Sequence, residues 1–312
     1  MSISLHQKPQ MKNSFKLIVL ILFLAVEPFN VSSQQKEKGS GIIAKGAAVQ
    51  KAGTDYAFTE GPAVDPNGNV YFTDQPNDKI LKWSTDGTIS VYMEGAGRSN
   101  GLYFDNNGNL LSCADLNNEL WQIDKNKKVT VLIKDFEGKK LNGPNDLWVD
   151  PKGGIYFTDP FYKRNYWTRS EKEIESENVY YLSPDKKLSV AGTDFIRPNG
   201  IVGSADGTKL YVADINAKKT YAFKIQPDGT LSDKTLFAEL GSDGMTIDNK
   251  GNVYLTGKGV TVFNAQGNQI EHIPIEEPWT ANVCFAGKDQ KTLFVTASKS
   301  VYTLKMKVKG VR

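Results

Sequence analysis

"NGIVGSADGTKLYVAD", residues 199–214, contains a short apolar strand, a turn built on Ser-Ala-Asp-Gly, and an alternating strand rich in Leu, Tyr and Val. The pattern recurs as "EGPAVDPNGNVYFTD" at 60–74, "NGLYFDNNGNLLSCAD" at 100–115, "NDLWVDPKGGIYFTD" at 145–159, "DGMTIDNKGNVYLTG" at 243–257 and "NVCFAGKDQKTLFVTA" at 282–297. These are six copies of one unit, with starts 40, 45, 54, 44 and 39 residues apart. Turns such as Asp-Pro-Asn-Gly and Asp-Asn-Asn-Gly supply the positive φ that tight connections require. A strand-only unit of about 40–50 residues is the signature of a propeller blade, because four strands of about five residues plus their turns fill that length. The expected fold is therefore all-β, a six-bladed β-propeller. The sixth unit keeps only "SVYTLKMKV" (300–308) for a third strand, whereas "IIAKGAAVQKAG" (42–53) precedes the first unit without a blade of its own. This N-terminal strand should close the last blade as its outer strand, removing an open edge.

The composition agrees with a turn-rich β chain: 312 residues with 28 Gly, 13 Tyr and 15 Phe. The formal net charge is +3 with the charges scattered, so no basic run points to nucleic acid. Lys12 and Lys16 precede the apolar run "LIVLILFLAV" (17–26), and "EPFNVSSQQ" follows it, with Val31 and Ser33 placed as before a signal-peptidase cut. Residues 1–33 therefore read as a signal peptide, with Met1 or Met11 as the start, and residues 34–312 as a single six-bladed propeller catalytic domain. The apolar run is short for a bilayer, so no stable membrane insertion is expected after cleavage. The expected location is periplasmic or secreted, and the expected state a monomer or weak homodimer. Cys113 and Cys284 lie inside apolar strand-like runs and read as two buried free thiols rather than a disulfide.

The six units begin at Glu60, Asn100, Asn145, Asn199, Asp243 and Asn282. The first strand of each blade lines the central channel, so these residues should converge at one of its mouths. Every one of them offers an oxygen, and none is Cys or His. Such a ring suits a hard cation: calcium fits best, magnesium ranks second, and zinc, which favours nitrogen or sulfur, comes last. Asn and Asp also start strands for purely local reasons, but six in register outweigh that reading. Asp65, Asp105, Asp150 and Asp248, five places on, should cap turns at the opposite mouth. Asp74, Asp115, Asp159 and Asp214 end the second strands and read as caps or supporting acceptors. The third unit carries an insertion, "PFYKRNYWTRSEKEIESEN" (160–178), on the site face. It reads equally as a lid or substrate wall and as a solvated loop.

The motifs "TEGPAVD", "NGPNDLWVDPKGGIYFTDP", "RPNGI", "SDGMTID" and "NVCF" give the chain a resemblance to the SMP-30/gluconolactonase/LRE-like family, and to its bacterial gluconolactonases in particular. The resemblance implies a divalent metal in the channel held by Glu60, Asn199 and Asp243, with Asn145 as a further ligand or substrate contact, and Asp243 as base. Some relatives place an arginine two residues before the asparagine matching Asn145; here that position is Gly143, and Arg98 stands two before Asn100 instead. Asn100, Asn145, Arg98 and Asn282 are the candidate substrate contacts.

The expected chemistry is calcium-dependent hydrolysis of a sugar lactone, the metal polarising the carbonyl and Asp243 taking a proton from water. A Ser-His-Asp triad is disfavoured: beyond the leader the chain has one histidine, His272, and no Gly-x-Ser-x-Gly elbow. The competing readings are hydrolysis of another ester or a phosphoester at the same site, and a non-catalytic binding propeller stiffened by calcium.

Overall fold

The computed structural model describes residues 41–311. The signal peptide expected at 1–33 lies outside the described residues. Six four-stranded antiparallel sheets follow one another in chain order, and one short 3-10 turn, Gln75–Asn77, is the helical element among the described residues. The innermost strands are Thr59–Val64, Ser99–Phe104, Leu147–Val149, Pro198–Gly203, Met245–Ile247 and Thr280–Ala286. They are the first strands of the six repeats, so the repeat and the blade coincide. Among the described residues no helix is long and apolar enough to cross a membrane.

The chain closes on itself as the N-terminal segment requires. Gln50–Gly53 is the outer strand of the sixth blade and pairs antiparallel with Ser300–Lys305, Gln50 facing Thr303 and Lys51 facing Tyr302. Ile43 adds an isolated bridge to Met306. Pairing the first strand with the last sheet ties the two ends of the ring together and covers an edge.

Alternation along the strands puts apolar side chains between neighbouring blades. Tyr71 meets Phe104 edge-on at 5.1 Å between blades one and two, Tyr254 meets Phe285 at 5.3 Å between five and six, and Phe72 meets Phe294 at 5.6 Å across the closure. Offset and edge-on ring pairs of this kind add about 0.5–1.5 kcal/mol each beyond area burial. Cys113 and Cys284 are free, buried thiols in blades two and six.

The turn aspartates act locally. Asp65 Oδ1 accepts the N–H groups of Asn67 and Asn69, Asp105 those of Asn107 and Asn109, Asp150 those of Lys152 and Gly154, and Asp248 those of Lys250 and Asn252. Each satisfies two turn donors that would otherwise be unpaired. The aspartates ending the second strands do a related task at the other mouth. Asp74 accepts from Ala57 and Phe58, Asp159 from Asn142 and Gly143, and Asp214 from Ile196 and Arg197. Each pins the loop that leads into its own blade's inner strand, and so fixes where the next site residue starts.

A glycine behind the site residue sets the ring's tightness. Gly61 has φ +43°, and a Cβ there would lie 2.0 Å from the carbonyl oxygen of Asn100. A Cβ at Gly200 would lie 2.8 Å from the carbonyl oxygen of Asp243. Only glycine lets successive inner strands approach this closely. Second-strand threonines bridge the same seam: Thr158 Oγ1 donates to Asn199 O at 2.8 Å, and Thr256 Oγ1 to Ala281 O at 2.8 Å.

Candidate active site

Five of the six repeat-start residues line one cavity at a channel mouth. Glu60, Asn100, Asn145, Asn199 and Asp243 form its polar part, and Phe58, Gln75, Pro76, Tyr162, Arg164, Ile215 and Trp279 complete it, enclosing about 420 Å³. The inner strands deliver the first group because their start residues face the axis. Glu60, Asn100, Asn145 and Asn199 are buried, and Asp243 keeps partial exposure toward the cavity.

Asn282 departs from the expected ring. It borders the cavity at the other end of the channel, about 540 Å³, where Asp146 is also found. Its Nδ2 lies 3.3 Å from Asp146 Oδ2. Four of the six repeats have glycine after the start residue, and blade three has Asp146 there instead. A carboxylate therefore enters the channel where four other blades leave room, and the Asn282 amide lies between it and the Glu60 carboxyl. Burial pushes the Asp146 carboxyl up to about 7.

Arg98 is also outside the cavity lining. Its guanidinium donates to Pro76 O at 2.7 Å and lies 4.4 Å from the centre of the Tyr166 ring. It buttresses the wall from behind. His272, on the outer strand of blade five, faces Thr261 with Nδ1 at 3.1 Å from Oγ1, away from the cavity.

The insertion of blade three lies along blade two and supplies two cavity residues, Tyr162 and Arg164. Asp115 anchors it. Arg164 Nε donates to Asp115 Oδ2 at 3.1 Å, the Tyr166 hydroxyl donates to the same oxygen, and Trp167 Nε1 donates to Asp115 O at 2.7 Å. Asp115 is free to do so because Arg98 N, in the loop leading into blade two, donates to Asp78 Oδ1 instead. Arg169 Nη2 donates to the carbonyls of Leu141 and Asn142, and its guanidinium stacks 4.9 Å from the Trp167 ring. The insertion is a wall of the site.

Hydrogen bonds order the polar floor. Asn199 Nδ2 donates to Asp243 Oδ1 at 2.8 Å and to the Tyr162 hydroxyl at 2.9 Å, and Trp279 Nε1 donates to Asp243 Oδ2 at 2.6 Å. Asn199 Oδ1 is buried without a hydrogen-bond partner. Burial raises the Asp243 carboxyl to about 6, against the lowering effect of Trp279, Asn199 and the Arg164 charge. The Glu60 carboxyl rises well above its ordinary range, first from burial and then from the negative charge of Asp243.

The donor set fits a hard cation. Among the described residues no three His, Cys, Asp or Glu gather to hold a metal, so amide oxygens would have to complete any ligand set. Two carboxylates that repel one another, Glu60 buried and Asp243 partly exposed, and a buried amide oxygen with no donor are the groups a dication satisfies together. Of the cavity residues, Tyr162, Arg164, Gln75 and Trp279 carried no individual sequence signal, although the insertion as a segment did.

Fold and site together define a class: six-bladed propellers with a floor of carboxylates and amides at one mouth of the channel. Within it, the chain belongs to the SMP-30/Gluconolactonase/LRE-like family, whose sequence profile matches residues 58–299. It is 27% identical over 292 residues to a gluconolactonase of Zymomonas mobilis, covering 84% of this chain and 82% of that one. It is also 27% identical over 278 residues to a diisopropyl-fluorophosphatase of Loligo vulgaris, covering 79% and 87%. Among solved structures, a gluconolactonase from Xanthomonas campestris superposes with a TM-score of 0.80 at 28% identity, covering 86% of this chain and 91% of that one.

Proposed function

We propose that the protein is a divalent-cation-dependent lactone hydrolase, acting on a sugar lactone in the manner of a gluconolactonase, with calcium as the ion. The observation that carries this reading is the buried, unpartnered Oδ1 of Asn199 beside the carboxylates of Glu60 and Asp243 on one cavity floor. Similarity to the Zymomonas and Xanthomonas gluconolactonases supports the reaction class. Export to the periplasm or medium, proposed from the N-terminal leader, fits a substrate met outside the cytoplasm.

Glu60, Asn145, Asn199 and Asp243 would hold the ion. When bound, it supplies Lewis acidity to the lactone carbonyl and offsets the charge that gathers on its oxygen. Asp243 takes the proton of the attacking water as the water oxygen bonds to the carbonyl carbon. The ring C–O bond then breaks and the proton passes to the departing ring oxygen, which leaves a hydroxy acid. Asn199 and Trp279 hold the Asp243 carboxylate from its two oxygens and restrict its rotation. These donors, and a dication when bound, would favour the ionised form, so in the loaded protein Asp243 would be a weak base, sufficient for an ester as reactive as a lactone. Phe58, Ile215 and Trp279 give the cavity an apolar side for the substrate ring.

The test is proton release from glucono-δ-lactone above the spontaneous rate. Activity should be lost in EDTA and return with calcium. Full turnover by protein shown to be metal-free would sink the proposal. Likeness to the Loligo diisopropyl-fluorophosphatase favours one second reading, a phosphoester substrate in the same cavity. Faster turnover of a phosphotriester than of any lactone would establish it.

A further inference from the structure

Two donors on the cavity wall remain without acceptors. Gln75 follows the last residue of the second strand in blade one, and its backbone is pinned on both sides: its N–H donates to Phe58 O at 3.1 Å, and its carbonyl accepts from Asp78 N at 3.1 Å. The residue is only 6% exposed, yet its buried Nε2 has no hydrogen-bond partner. A buried amide N–H left unpaired is costly, so natural sites keep one where a ligand or ordered water supplies the acceptor. Arg164 faces the same cavity from the insertion. Asp115 takes its Nε, and its two terminal nitrogens have no hydrogen-bond partner among the described residues.

We propose that Gln75 and Arg164 are specificity-determining residues, a hydrogen-bonding clamp for the hydroxyl groups of a neutral polyhydroxylated lactone. The inference rests on the lactonase reading. The Gln75 Nε2 and the Arg164 guanidinium both donate, so they select substrate oxygens that can receive a hydrogen bond, and the Gln75 Oε1 can accept from the same hydroxyls. Hydroxyl oxygens fit better than a carboxylate or phosphate. The Arg164 charge is already balanced by Asp115, and the carboxylates of Glu60 and Asp243 line the same cavity. Asp115 also holds Tyr166 and the Trp167 indole, so the guanidinium is presented by a fixed wall and loses little freedom on binding. A site that offers donors to hydroxyls rejects analogues lacking them, because its own polar groups then stay unpaired.

The experiment compares kcat/KM for glucono-δ-lactone with that for δ-valerolactone, which has no hydroxyls, in the calcium-loaded full chain. Gln75→Leu should lower the ratio of the two about 3–10-fold, and Arg164→Met about 10–100-fold, mainly through KM for the sugar lactone. Arg164→Lys should recover part of the ratio. Thermal unfolding checks the variants; should Arg164→Met fail to fold, Gln75→Leu, which leaves the Asp115 anchor intact, decides. An unchanged ratio in the folded variants overturns the clamp and leaves the lactonase reading standing. A higher kcat/KM for 6-phosphoglucono-δ-lactone than for glucono-δ-lactone overturns the neutral-substrate class. Wild-type protein that hydrolyses none of the three removes the reading and the clamp together.

Discussion

Asn199 and Asp243, the start residues of adjacent blades, are joined by a 2.8 Å hydrogen bond from Nδ2 to Oδ1, and the amide oxygen on the other side of Asn199 is left buried and unpaired. One side chain thus orients the proposed base and offers an oxygen to the proposed ion. The Trp279 indole holds the second oxygen of Asp243. The carboxylate is fixed by donors from two different blades.

Asp243→Asn should keep the fold and remove the base. The expected loss in kcat is about 10²–10⁴-fold, the usual contribution of a positioned general base. The amide also removes one negative charge from the floor, so the stabilisation of the protein by calcium should shrink. Steady-state kinetics and calcium-dependent melting together check this. Wild-type turnover in the variant would assign the base elsewhere.

The metal-free protein should lose stability as pH rises. Burial raises Asp243 to about 6 and Asp146 and Asp159 to about 7, all above the ordinary 3.8. Between about pH 4 and 7 the folded state therefore binds more protons than the unfolded chain, and stability falls with pH through that window. Calcium at neutral pH should offset the loss at Glu60 and Asp243 by replacing the missing protons. Melting curves in EDTA at pH 5 and pH 7.5, then with calcium, test the sign. A higher melting temperature at pH 7.5 in EDTA would contradict it.

Asp115→Asn should loosen the insertion. The substitution keeps the side chain's size but removes the charge that holds Arg164 and Tyr166. Arg164 is about a quarter exposed, so screening limits the cost to about 1–2 kcal/mol. KM should rise several-fold with a smaller change in kcat, and limited proteolysis should cut faster within 160–178. An unaltered cleavage rate would mean that the packing of Trp167 and Arg169 holds the wall alone.

Gly61→Ala tests the tightness of the ring. The added methyl would lie 2.0 Å from a backbone oxygen of the next blade, at a positive φ that alanine disfavours. The backbone cannot step aside without moving Glu60. A loss of about 3 kcal/mol or more is expected, read as a drop in melting temperature of several degrees. Gly87→Ala, where nothing lies within 4 Å of the new methyl despite φ +92°, separates conformational strain from collision.

The blades were legible because a propeller repeats one local rule: apolar strand, aspartate-capped turn, alternating strand. That rule needs only neighbours in the chain, so the sequence carried the six sheets and the closing strand. The start residues were legible for the same reason, since any residue at the head of an inner strand must face the axis. Asn282 shows the limit of that inference. It occupies the same position in its repeat as Asn199, but its amide lies between Glu60 and Asp146 and borders the other cavity. Gln75, Tyr162, Arg164 and Trp279 come from connections between strands, whose paths are set by contacts with other blades. Arg164 reaches the cavity because Asp115, 49 residues earlier, is free to hold it.

By itself the sequence determined the number of blades, the closure of the ring and the residue types on the site floor, because these follow from periodicity and side-chain alternation. The tertiary structure alone decided which of those residues share one cavity and which wall faces them, because a loop's course depends on the partners it meets across blades.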